Sequence, residues 1–220
     1  MEKQKMIWRG GIYLVGMTLL ALGITLTTLA GLGASAIVSV PYTISRGLGL
    51  SFANLTLIFY CSFVAAEFII NGTRRRLIDL LQIPVSIVFT RFMALFQGAI
   101  GYQSGYLPTD LLVLAGGILL TGIGAATAVD MMLIPNPGDG IVNSISMRSG
   151  KELGFCKNCF DLGCVTCALL IGMLFESPLF GIGLGTLLSM LGVGRVMAIW
   201  NRAVQRRLLK LAGMNPIQTE

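Results

Sequence analysis

Apolar residues run along this chain in six long blocks separated by short polar or glycine-rich segments, near 7–31, 52–70, 77–99, 109–132, 158–176 and 179–200. A helix of roughly 20 apolar residues crosses the hydrocarbon core of a bilayer, and each block is about that long. Within lipid every backbone N–H and C=O must find a partner inside the chain, so the blocks predict helices. The alternation that a barrel strand needs is absent. The pattern predicts an all-α membrane protein with six transmembrane helices.

The blocks also repeat. Residues 37–98 return about 104 positions later: Ile37-Val38 as Ile141-Val142, Ser45 as Ser149, Asn54 as Asn158, and Arg91-Phe-Met-Ala-Leu-Phe96 as Arg195-Val-Met-Ala-Ile-Trp200. At a shift of 106, Gly10-Gly11-Ile12 returns as Gly116-Gly117-Ile118. Residues 1–105 and 106–220 thus read as two copies of one three-helix unit, and an odd number of crossings turns the second copy over into an inverted repeat. Each unit carries a short segment after its first span. Gly31-Leu-Gly33-Ala-Ser35 breaks the first span and Pro135-Asn-Pro-Gly-Asp139-Gly140 the fourth. Short helices are predicted at about 35–46 and 139–148, with Ser35 and Asp139 aligned as N-caps. Such a helix is too short to span. It either re-enters the membrane or lies on its surface, and if it re-enters, its N–H groups point inward.

Composition narrows the class further. Hydrophobic residues make up 55% of the chain and charged residues 12%, and there is no histidine. The net charge of +6 invites a nucleic-acid reading until its placement is considered. Most Lys and Arg residues fall in four groups: Lys3, Lys5, Arg9; Arg74, Arg75, Arg76; Arg148, Lys151, Lys157; and Arg202, Arg206, Arg207, Lys210. With six spans all four groups share a side, whereas the opposite loops at 100–108 and 177–178 carry none. This positive-inside pattern places both termini in the cytoplasm and the chain in the cytoplasmic (inner) membrane. The partner it implies is the lipid bilayer and not nucleic acid. The first apolar run is too long for a cleaved signal peptide. The glycines suit close helix packing, as in Gly181-Ile-Gly-Leu-Gly185, and a homodimer is compatible with that use. Without histidine no Ser–His or Cys–His relay is possible, so no enzyme and no cofactor are expected.

Charges inside spans are costly and mark bundle-interior positions. Arg91 and Arg195 are candidates either for gates around a central site or for structural pairing with Glu67, Asp79, Asp130, Asp161 or Glu176. Glu67, Asp130 and Asp161 have no acidic counterpart in the other unit, which makes them candidates for proton or ion coupling. Asn54 and Asn158 begin equivalent spans. Cys156-x-x-Cys159 and Cys164-x-x-Cys167 resemble paired thiolate ligands. On one helix, however, they spread over roughly 16 Å, too far for one metal, and they read as packing residues.

The order Gly33-Ala-Ser35, Arg46-x-Leu48-Gly49-Leu-Ser51, Leu80-Leu-Gln-Ile-Pro84-Val, Asn136-Pro-Gly-Asp139-Gly140, Asp161-Leu and Gly181-Ile-Gly-Leu-Gly185-Thr186 is similar to the YczE/YyaS/YitT family of bacterial integral membrane proteins. The resemblance covers roughly 10–205 and is closer to the short, YczE-like members, with six spans and no soluble C-terminal domain. It implies membrane location without implying a substrate. The function expected is a small secondary transporter or exporter of a small molecule or ion, with its site between the repeats near Ser35 and Asp139. The alternative is a non-transporting membrane scaffold or regulatory protein.

Overall fold

The computed structural model describes residues 2–74, 77–176 and 181–214. Arg75, Arg76 and the 177–178 loop of the charge argument lie outside them. All regular structure among the described residues is helical: α1 (Glu2–Leu29), α2 (Ala36–Leu48), α3 (Phe52–Asn71), α4 (Gln82–Ala99), α5 (Leu107–Asp130), α6 (Pro137–Ser149), α7 (Leu153–Leu174), α8 (Leu184–Trp200) and α9 (Arg206–Leu211). Two 3-10 segments, Gly72–Arg74 and Leu77–Leu81, precede α4, and a π-turn over Asn201–Gln205 joins α8 to α9. Six helical runs are long and apolar enough to cross a membrane: Gln4–Leu29, Phe52–Asn71, Leu77–Ala99, Leu107–Asp130, Leu153–Leu174 and Leu184–Leu211. The chain is a multi-pass membrane protein. Ile69, Leu112, Leu174 and Leu187 on its outside are largely exposed, as a lipid-facing surface requires.

The centre is the α1–α5 pair. A Cβ on Gly23 would lie 2.8 Å from the Gly117 carbonyl oxygen, and one on Gly124 would lie 2.6 Å from that of Gly16. The two helices therefore run antiparallel with their backbones nearly touching, the packing small residues permit in lipid. Around them Tyr13, Met17, Leu20 and Ile24 of α1 pack with Phe89 and Met93 of α4 and Met131 after α5.

The order long, short, long, long occurs twice, and the caps set its register. The N-caps of α2 and α6 are Ser35 and Asn136, those of α3 and α7 are Ser51 and Glu152, and the C-caps of α2 and α6 are Gly49 and Gly150, both left-handed. Ser45 Oγ donates to the Leu50 carbonyl at 2.6 Å and Ser146 Oγ to that of Lys151 at 2.7 Å. Every one of these pairs is separated by 101 positions, as are Gly16/Gly117 and Gly23/Gly124. The 104-residue spacing of the identities therefore does not describe the first part of each unit. Asn136 rather than Asp139 caps α6, its side chain accepting from Gly138 N at 3.0 Å. Asp139 stands in the first turn.

Each short helix buries its N-terminal half and exposes its C-terminal end. α2 packs against α7, and α6 against α3, so each unit's short helix lies on the other unit's second span. The first turns of α2 and α6 meet: Ile37 Cδ1 would stand 3.0 Å from a Cβ on Gly138.

Candidate functional site

Where α2 and α6 meet, two helix N-termini with partly unsatisfied N–H groups converge inside a membrane bundle. The two ends are served differently. The α2 end is joined to the segment before α8 through main chain: Ala34 N donates to the Gly181 carbonyl at 3.1 Å and Gly185 N to that of Leu32 at 2.7 Å. The run Gly181–Gly185, expected to pack helix on helix, instead lets this segment lie against Leu32 and Gly33, because a side chain on Gly183 or Gly185 would strike the Leu32 carbonyl.

The α6 end is surrounded by charge. Lys157 Nζ lies 3.6 Å from Asp139 Oδ1 and 4.0 Å from Asp161 Oδ2. Asp161 is 9% exposed, and its Oδ1 is buried with no hydrogen-bond partner among the described residues. Fully buried Tyr60 of α3 sets its hydroxyl against the Asn136 side chain. Because α7 starts at Leu153, five residues earlier than the 158 expected from sequence, Lys157 sits inside the helix and not in a loop. Asp161 is eight residues beyond Leu153, roughly 12 Å along the axis. Asp139 also lines one end of a groove of about 220 Å³ walled by Met17 and Leu20 of α1, Ala125 and Val129 of α5, and the break at Leu133–Asn136.

The opposite face of α6, one residue and one turn on at Gly140 and Ser144, meets a second buried acid. Gln82 Nε2 donates to Glu67 Oε2 at 2.8 Å, and Ser144 Oγ to Glu67 Oε1 at 3.3 Å. Asn71 Nδ2 in turn donates to Ser144 Oγ at 3.0 Å. Gly140 makes room for this group, since a Cβ there would lie 2.8 Å from Glu67 Oε2.

The sequence of the family of unknown function DUF6198 matches residues 7–202. The chain belongs to this family. It is similar to the uncharacterized membrane protein YczE of Bacillus subtilis (strain 168), at 24% identity over 98% of this chain and 99% of that protein. It is also similar to the uncharacterized protein YyaS of the same organism, at 23% identity over 90% of this chain and 94% of YyaS. The match to both extends over nearly the whole chain, as the order of glycine and cap motifs implied. No solved structure matches the chain.

Of the residues singled out from sequence, Asp139 and Asp161 come together and Glu67 lies across α6 from them. Asp130 is separate, at the end of α5, where its Oδ1 accepts from Gln205 Nε2 at 2.8 Å. The π-turn widens the last helix there and carries Gln205 to the carboxylate. The partner found for Arg91 among the described residues is an amide and not an acid. Arg91 Nη2 donates to Asn54 Oδ1 at 2.7 Å, on the outer surface of α3 and α4. Arg195 and Asn158 are exposed on α8 and α7. Ser35 caps α2 by position, without a side-chain bond. Sequence reasoning did not single out Tyr60, Gln82, Ser144 or Gln205, and it counted Lys157 only among the basic residues at the cytoplasmic edge. A polar residue inside an apolar span was the available signal for Gln82 and Tyr60.

Proposed function

We propose that the protein is a small secondary transporter whose site lies where α6 enters the bundle, beside the contact between the two short helices. One observation carries the reading. Asp139, Lys157 and Asp161 lie together at a broken-helix junction, with Asp161 roughly 12 Å along α7, two of the three side chains nearly half exposed, and Asp139 bordering a groove. Charged groups within a span cost on the order of 2.5–3.5 kcal/mol each when they face lipid, so they belong to a water-accessible or ligand-accessible space. Secondary transporters place their sites at such junctions between repeats.

Under this reading the two units are inverted, which the antiparallel α1–α5 crossing supports, and both short helices re-enter from opposite sides. The termini then lie in the cytoplasm, where the basic C-terminal helix meets anionic headgroups. The test is a metabolite uptake and efflux screen in proteoliposomes with wild type and Asp139→Ala. Flux should fall at least tenfold in the variant. Equal flux in the two proteins would remove the proposed site.

A further inference from the structure

The chemistry of the α6 end favours one charge of substrate. We propose that this site takes a small organic cation with N–H donors, seated between Asp139 and Asp161 where the Lys157 ammonium now stands. The inference rests on the transport reading for movement across the membrane and on its own geometry for binding.

Two bare helix N-termini would attract an anion, each acting as about half a positive charge. Asp139, in the first turn of α6, offsets that helix end. Lys157 offsets one carboxylate. With both helix ends, both acids and Lys157 counted the site is about neutral, and once the lysine swings away it is about one unit negative, a charge that falls on Asp161. Local charge therefore reverses the anion preference that the helix ends alone would give.

Geometry points the same way. Charge-assisted N–H···O bonds close to about 2.7–2.9 Å. Lys157 stands at 3.6 and 4.0 Å, so it neutralises the pair without bonding tightly to either acid. Asp161 Oδ1 meanwhile is buried, faces no donor among the described residues, and belongs to a residue 91% shielded from solvent. An unmet buried carboxylate oxygen is expensive, on the order of 1–3 kcal/mol, and a cation with several N–H donors that reaches Oδ1 as well as Oδ2 removes that cost. Lys157 is thus a tethered, replaceable occupant, half exposed on a flexible stem, between Asp139 Oδ1 and Asp161 Oδ2, and Asp139 itself borders the groove. A hard divalent cation fits less well, because it calls for about six oxygens and two carboxylates do not supply them.

The test follows thermal unfolding through the intrinsic fluorescence of Trp8 and Trp200, with the full chain in lipid nanodiscs. Wild type, Lys157→Ala and Lys157→Ala/Asp161→Asn are titrated with ethylammonium chloride against sodium chloride of equal ionic strength. Ethylammonium should raise the Lys157→Ala midpoint by about 2–4 °C above the sodium control. Wild type should shift less, since its own lysine competes, and the double variant should not shift. An equal shift in the double variant overturns the inference, as does no shift in a folded Lys157→Ala. If Lys157→Ala does not fold, wild type against Asp161→Asn decides by the same criterion.

Counterflow of radiolabelled guanidinium, which does not leak as a neutral base, tests transport separately. An ethylammonium shift without counterflow keeps the cation site and removes the transport reading. Flux of another solute with no ethylammonium shift keeps transport and overturns the cation site.

Discussion

The N-terminal ends of α2 and α6 are the same piece of structure solved in two ways. Each helix has 13 residues, a left-handed glycine after it, and a serine near its end bonded to the first carbonyl beyond the turn. Each starts inside the bundle. The α2 end is closed by a backbone seam to the 181–185 segment, and its buried polar neighbours Ser39, Thr43 and Thr186 are all neutral. The α6 end has acids on both faces, a lysine between two of them, and a groove leading in. Main-chain bonds hold the segment leading into α2 and carry no charge for a solute to displace. Charged side chains at a helix end are groups for which a solute can compete. One short-helix end is a fixed wall, and under the transport reading the other carries the chemistry.

The largest effect should come from opening the fixed wall. Gly33 has φ +106°, and a Cβ there would lie 2.5 Å from Gly183 N and 2.6 Å from Thr186 Oγ1. The backbone penalty is about 1–2 kcal/mol and the overpacking penalty about 1–3 kcal/mol. Gly33→Ala should therefore lower the unfolding midpoint by roughly 10 °C for a chain of this size. Ile134→Ala at the matching position before α6 removes only a partly buried side chain and should cost less. Similar midpoints for the two variants would erase the contrast between a seam and an open site.

A smaller effect belongs to the charged end. Glu67→Ala strands the Gln82 amide and the Ser144 hydroxyl in a buried setting, which should cost about 1–3 kcal/mol of stability. Glu67→Gln keeps one oxygen, enough for the Gln82 amide, and its NH2 can donate to Ser144 Oγ, so it should lose less than half of that. The comparison is read from unfolding midpoints in nanodiscs. Equal losses would mean that shape, and not hydrogen bonding, holds α6 at that face.

Much of the fold was legible because hydrophobic length is a property of composition: the first five spans and both short helices stand within about five residues of where the sequence puts them, while the last apolar run extends over Leu184–Leu211 against an expected 179–200. Register was not. Identities such as Asn54/Asn158 favour 104, whereas the caps and the crossing glycines require 101. A slip of three residues is nearly a full helical turn, so a helical apolar pattern looks almost the same after it. Caps cannot slip, because each sits at one chain reversal. The same ambiguity displaced Lys157: with α7 begun at 158 it is a loop charge, and with α7 begun after Glu152 it points between two acids. Gln205 was hidden for another reason, since nothing in Asn201–Gln205 announces a π-turn. The acids present in only one unit were legible as exceptions, and two of the three, Asp139's neighbour Asp161 and the more distant Glu67, border the same helix.

The finest distinction between the two ends lies at their caps. Ser35 and Asn136 occupy matching positions with similar extended backbones, at φ −64° in both. Only Asn136 uses its side chain, accepting from Gly138 N, and only Asn136 touches the buried Tyr60 hydroxyl. A working N-cap contributes typically about 1 kcal/mol over alanine. Ser35 makes no such bond, because its neighbour Ala34 is already engaged with Gly181 and the seam holds the chain in place. Asn136→Ala should thus cost about 1 kcal/mol, and Ser35→Ala no more than a few tenths. Asn136→Asp separates capping from charge: it preserves the acceptor but adds a third acid beside Asp139 and Asp161. It should hold stability near the parent in ethylammonium and lose it in sodium chloride. A variant indifferent to the choice of salt would show that negative charge at the α6 end is a capping device alone.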